Sequence, residues 1–261
     1  MSLEDELREC LCYEQQSALE QIRFEYAIRR IVEAGLQPGL VRCLLPLIHV
    51  NISDTLASDD LDGCYFADHL KSPSTPDPPI DWYRHGFRGI SRTILISNTA
   101  NWTVLVHEFA HWLDDQLLHV APSRLEVLSA GVLDCEKLEP LKQLRQGMHE
   151  EWQQAYNFVR AGLPENPSSK WYKQVTPAMI HGLAPSRYAL LDDMEWFAEC
   201  FVDYCRTSSQ QYWLAEHTPA TAALLDYVAH EPMIAGHKIP IGSKWNSSIR
   251  RWTFEAKASD I

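Results

Sequence analysis

Residues 107–111 read His-Glu-Phe-Ala-His, and this short run limits the fold more than any other part of the chain. In a strand, His107 and His111 would stand about 13 Å apart, too far to act together. On a helix they fall one turn apart on one face, about 6 Å along the axis, so both rings can address a single ion. The flanking residues favour the helix. Leu105, Phe109, Trp112 and Leu113 make an apolar stripe, which leaves the histidines on an adjoining face. Glu108 sits about 100° round the axis, where its carboxylate can reach an ion's water without becoming a ligand. Shuffled sequences of this composition give H-E-x-x-H about 3 times in 100, so the flanks carry as much weight as the motif.

Two imidazoles and a carboxylate suit zinc, with a fourth position open to water. The best source of the carboxylate is the segment from Tyr188 to Val202. Met194, Phe197, Ala198, Phe201, Val202 and Cys205 recur at helical spacing and predict a buried helix. Glu195 and Glu199 lie one turn apart beside that stripe. A carboxylate so close to a core is costly unless it is paired or on a metal. A second reading of Glu195 is local: Asp192 can cap the helix, with Glu195 as its capping-box partner. The second nitrogens of the histidines need acceptors, for which Glu199, Asp114 and Asp115 are candidates.

Around these segments the chain reads in order as helix, small sheet and helical half. Residues 3 to about 34 predict a long helix or a helical pair, stopped by Gly35 and Pro38-Gly39. Short apolar runs at 47–52, 64–66 and 93–96, the first and last with β-branched residues, predict strands. Residues 73–79 hold four prolines and predict a loop. Helices are expected at 102 to about 118, with Asn101 or Thr99 as N-cap, and at roughly 136–148, 149–162, 193–207 and 218–229. The fold class this implies is α+β, as residues 1–45 forming a helical segment packed on a catalytic domain over 46–261.

His107-Glu-Phe-Ala-His111, the strand Ile94-Leu-Ile-Ser97 before it, and Tyr188 seven residues ahead of Glu195-Trp-Phe-Ala-Glu199 together resemble the zincin metallopeptidases of the anthrax lethal factor type. Mlc titration factor A and the Pro-Pro endopeptidases share the pattern. The resemblance covers about residues 90–229 and is sharpest at the two motifs. It implies a mainly helical zincin-like fold with a small mixed sheet above the active-site helix. It makes His107, His111 and Glu195 the ligands of Zn2+, Glu108 the general base and Tyr188 the donor to the oxyanion. It also favours Glu199 as the acceptor behind a histidine. The interval from His111 to Glu195 exceeds the group's pattern, which implies an inserted helical segment at about 120–175. The first ninety residues match no family.

The function expected is hydrolysis of peptide bonds in a protein or peptide substrate. Two alternatives stand beside it: a metallohydrolase of a non-peptide bond, and a partner-binding protein on a zincin scaffold. Intact Glu108 and Tyr188 argue against the last. A net charge of -12 repels phosphate backbones and anionic lipid, so neither nucleic acid nor a membrane is the expected partner. Seven cysteines without a C-x-x-C pair point to a reducing compartment, with Cys200 and Cys205 as core filler. The acidic start, Met1-Ser2-Leu3-Glu4-Asp5-Glu6, shows no cleavable signal. A cytoplasmic protein is expected, with signal-independent export open. Trp112 and Trp196 adjoin the motifs and are expected to wall the site. The strand at 94–96 is expected to pair with an extended substrate. Oligomeric state is not legible.

Overall fold

A computed structural model of the chain describes residues 2–13, 17–36, 48–53, 62–66, 93–117, 135–164, 170–230, 244–246 and 251–253. The N-terminal region is a helical pair with a strand between its members: α1 (Leu3–Cys10), β1 (Leu11–Tyr13) and α2 (Ala18–Glu33). Ser17 starts α2 through a capping box, its hydroxyl accepting from the Glu20 N–H while the Glu20 carboxylate takes the Ser17 N–H. Strands β2 (Ile48–Ser53), β3 (Gly63–Phe66) and β4 (Thr93–Ser97) follow. The helical half comprises α3 (Trp102–Leu117), α4 (Cys135–Ala161), the single turn α5 (Pro177–Ile180), α6 (Asp193–Arg206), α7 (Ser208–His217) and α8 (Pro219–His230). A short antiparallel pair, β5 (Lys244–Asn246) and β6 (Arg251–Thr253), comes last. The result is α+β and mainly helical, with a small mixed sheet. The prolines at 73–79 and the residues around 120–134 lie outside the described residues.

The sheet runs β1-β2-β4-β3, with β1, β2 and β4 parallel and β3 antiparallel at one edge. The segment at 1–45 is therefore more than a helical addition, since it supplies the opposite edge strand. The Arg23 guanidinium on α2 also donates to the Asn98 and Ala100 carbonyls (3.0 and 3.1 Å), which fixes α2 to the turn leading into α3. β4 has a neighbour on each side, β2 and β3, so both its edges are used. It cannot pair with a substrate as the sequence suggested; the strand at the rim, packed over α3, is β3.

Helices α3 and α6 pack against each other at the centre. Phe109 and Trp112 from α3, with Trp196, Phe197 and Phe201 from α6, are fully buried. Each such ring removed from water stabilises the fold by about 2–3 kcal/mol. Trp112 and Trp196 thus belong to the core behind the site and do not wall it. Met194, expected in the buried stripe, is 41% exposed; the stripe begins at Phe197. Cys200 and Cys205 are buried free thiols, as expected. Several elements differ from their sequence reading, among them β1, α5 and the β5–β6 pair, none of which was expected. The helices expected at 136–148 and 149–162 are one, α4, and α7 was not foreseen. Among the described residues no helix is long and apolar enough to cross a membrane.

Candidate metal centre

Asn101 caps α3, its side-chain oxygen accepting from the Thr103 N–H at 2.8 Å. With the start of the helix fixed, Leu105, Val106, Phe109, Ala110, Trp112 and Leu113 turn inward and are buried. His107 and His111 are left at the border, with side chains 12% and 16% exposed. Their rings stand edge to face, and their Nε2 atoms are 3.0 Å apart.

The start of α6 brings in the carboxylate. Asp192 caps it, accepting from the N–H groups of Met194 (3.0 Å) and Glu195 (2.8 Å). The cap expected of Asp192 is present, but the Glu195 side chain turns toward α3. Its Oε2 lies 3.0 Å from His107 Nε2 and 3.4 Å from His111 Nε2. This oxygen is buried and accepts no aligned hydrogen bond. Three donor atoms therefore converge with edges of 3.0, 3.0 and 3.4 Å. Ligands about 2.0–2.1 Å from a tetrahedral zinc are about 3.3 Å from one another. The residues present fit such an ion. Among the described residues, this is the group of histidine and carboxylate side chains close enough to hold a metal.

The surrounding charges strengthen the case. Glu199 Oε1 lies 2.9 Å from His107 Nδ1. An Nδ1–H donated to Glu199 leaves Nε2 as the lone-pair face directed at the centre. Ser186 in turn donates its hydroxyl to Glu199. Burial opposes charge on His107, but the Glu195 and Glu199 carboxylates outweigh it and push its pKa up to about 10. Burial likewise opposes charge on Glu195, and the two imidazoles outweigh it, holding the carboxyl at about 2. Without an ion, the pocket collects a proton to balance its carboxylates.

That proton would make metal uptake at this site pH-dependent. A pKa raised above the ordinary 6.5 means the protonated His107 is the favoured form in the folded chain. Its stabilising effect is complete below about pH 6.5 and is lost as pH climbs through about 10. Zinc bound here would compete for the same nitrogen, so its apparent affinity would rise with pH across that window, about tenfold per unit for each proton displaced. Calorimetry at neutral pH in buffers of different ionisation enthalpy should register release of at least one proton per zinc bound. A binding heat independent of the buffer would contradict this.

Glu108 is 5% exposed and sits under β3. Burial raises its pKa; the two imidazoles partly offset this. The Tyr65 N–H donates to its carboxylate. The sheet register explains why. The Ser97 N–H donates to the Asp62 carbonyl (2.8 Å), so by antiparallel alternation Gly63 and Tyr65 turn their backbone groups away from β4. Gly63 is required by contact: a Cβ there would lie 2.5 Å from Val104 Cγ1 and 2.7 Å from Glu108 Oε1.

Tyr188 begins a 3-10 turn just before α6, its ring 6.0 Å from that of His107. Burial, with the charges of Glu195 and Glu108, raises its pKa well above the phenol range, so it keeps its proton. It is a hydrogen-bond donor. Asp114, also expected near a histidine, is buried and pairs with Arg145 Nε at 3.6 Å, joining α3 to α4. The side chain of Asp115 lies outside the described residues. The sequence reading missed Gly63, the Tyr65 N–H, Ser186 and Cys64. Burial, and then Glu108 and Glu195, raise the pKa of the Cys64 thiol, which leaves it protonated. Gly63, directly before the strand expected at 64–66, was the one available signal for close backbone approach.

Comparisons with protein-family models, with curated proteins and with solved structures find no match to this chain.

Proposed function

We propose that this chain is a zinc-dependent endopeptidase with a zincin-like fold, acting on protein or peptide substrates. The observation that carries the reading is the Glu195 oxygen, buried 3.0 and 3.4 Å from two imidazole nitrogens that are themselves 3.0 Å apart. A carboxylate so placed is stable when a cation shares the space, and its edges match tetrahedral zinc.

His107, His111 and Glu195 would hold the metal, which would supply a Lewis acid and an ionisable water. Glu108 would act as the general base, taking a proton from the attacking water and giving it to the leaving amine; burial raises its pKa, which favours that role. Tyr188 donates its hydroxyl proton to the carbonyl oxygen as charge develops there. Glu199 keeps His107 facing inward. An extended peptide running along β3 presents its backbone beside Glu108, which favours a peptide over an isolated amide or ester.

The test is direct. Purified protein should contain one zinc by elemental analysis and cleave members of a peptide library, with cleavage lost on chelation and restored by zinc. Zinc-loaded protein that cleaves none of the library but hydrolyses small amides or esters would move the assignment to the non-peptide class.

A further inference from the structure

Glu151 and Thr221 have no part in the chemistry above, yet they form a polar chain that runs from the half-buried Glu151 into the core and ends one residue from Glu195. Glu151, on α4, accepts from the N–H groups of Ala220 (2.6 Å) and Thr221 (2.8 Å) and from the Thr221 hydroxyl (2.7 Å). Those N–H groups lie in the first turn of α8, where a carboxylate is favoured. The Thr221 hydroxyl has one proton and gives it to Glu151. Its oxygen is then the acceptor for the Trp196 indole N–H, at 2.9 Å. Thr221 and Trp196 are both 0% exposed.

Trp196 follows Glu195 on α6. The rotation of α6 about its own axis decides where the Glu195 carboxylate points. A side-chain atom about 6 Å from a helix axis moves about 1 Å for a 10° turn, enough to spoil a metal site. Phe197 and Phe201 bury this helix but resist a small turn weakly, because apolar burial is not directional. The indole hydrogen bond is directional. We infer that Thr221, held by Glu151, is a positioning residue: through Trp196 it sets the rotation of α6 and so places Glu195 against His107 and His111. The inference rests on the reading of these three residues as zinc ligands.

Thr221→Val keeps the shape and removes the acceptor; Thr221→Ser keeps the oxygen. Zinc affinity is measured by competition with a chromophoric chelator, on proteins whose circular dichroism matches wild type. The visible spectrum of the cobalt(II)-substituted proteins reports ligand geometry. Thr221→Val should weaken zinc binding about tenfold, the low end for groups that orient a ligand, and should alter the cobalt bands. Thr221→Ser should change neither. Trp196→Phe, which removes the same bond from its other end, should weaken zinc equally, with no added loss in the double variant. It also carries the test if Thr221→Val does not fold. Zinc held as tightly by the folded single variants as by wild type overturns the inference and leaves the ligands standing. A wild-type protein that takes up no zinc removes both.

Discussion

Glu108→Gln should retain a full equivalent of zinc and cleave peptides about 100- to 10,000-fold more slowly, the range expected for loss of a general base. Zinc should stay because Glu108 is not among the three converging atoms. The fold should stay because glutamine has the same length and branching, so it fits the space under Gly63. Its amide oxygen can still accept from the Tyr65 N–H. What glutamine cannot do is take a proton from water. The loss should fall on kcat with KM little changed, as it does for an interaction made only in the transition state. A Glu108→Gln enzyme within a few-fold of wild type would remove Glu108 from the mechanism, and with it the argument that separates an enzyme from a binding protein.

Glu195→Ala should lose zinc. Two imidazoles remain, and a third of the protein's ligand set is gone; structural zinc sites bind with about 10–16 kcal/mol, and a third of that corresponds to roughly 300- to 8000-fold of affinity. The helix itself should survive. Asp192 caps α6 through backbone N–H groups, and Trp196, Phe197 and Phe201 bury it. Elemental analysis after dialysis decides the matter beside wild type. Undiminished zinc in Glu195→Ala would mean that the ion, wherever it sits, is held by other residues.

The parts legible in the sequence were those set by local periodicity. The i, i+4 histidines and their apolar flank defined α3, and the stripe from Phe197 to Cys205 defined α6 with Glu195 at its border. The parts that were not legible depend on partners far along the chain. β1 is three residues that become a strand only by pairing with β2. The sequence reading divided α4 at about 148, but the helix runs on unbroken; at Gly147, just before that point, a Cβ would stand 3.1 Å from that of Ala220, so the residue allows close helix packing. α7 buries Leu214 alone, so its apolar residues never gather into a stripe. Within the site, Glu199 was one of three candidates, favoured by the resemblance; its distance to His107 sets it apart from Asp114, which faces Arg145.

The contact at Gly63 ties two distant stretches of sequence to one another. Anything bulkier at 63 would push into Val104 and Glu108, so it could be accepted only alongside a shorter residue at 104 or a retreat of the carboxylate at 108. Neither position can drift alone. In a collection of descendants of this chain, position 63 should therefore vary only in company with positions 104 and 108, and lineages that give up Glu108 should be the ones in which a side chain first turns up on that strand.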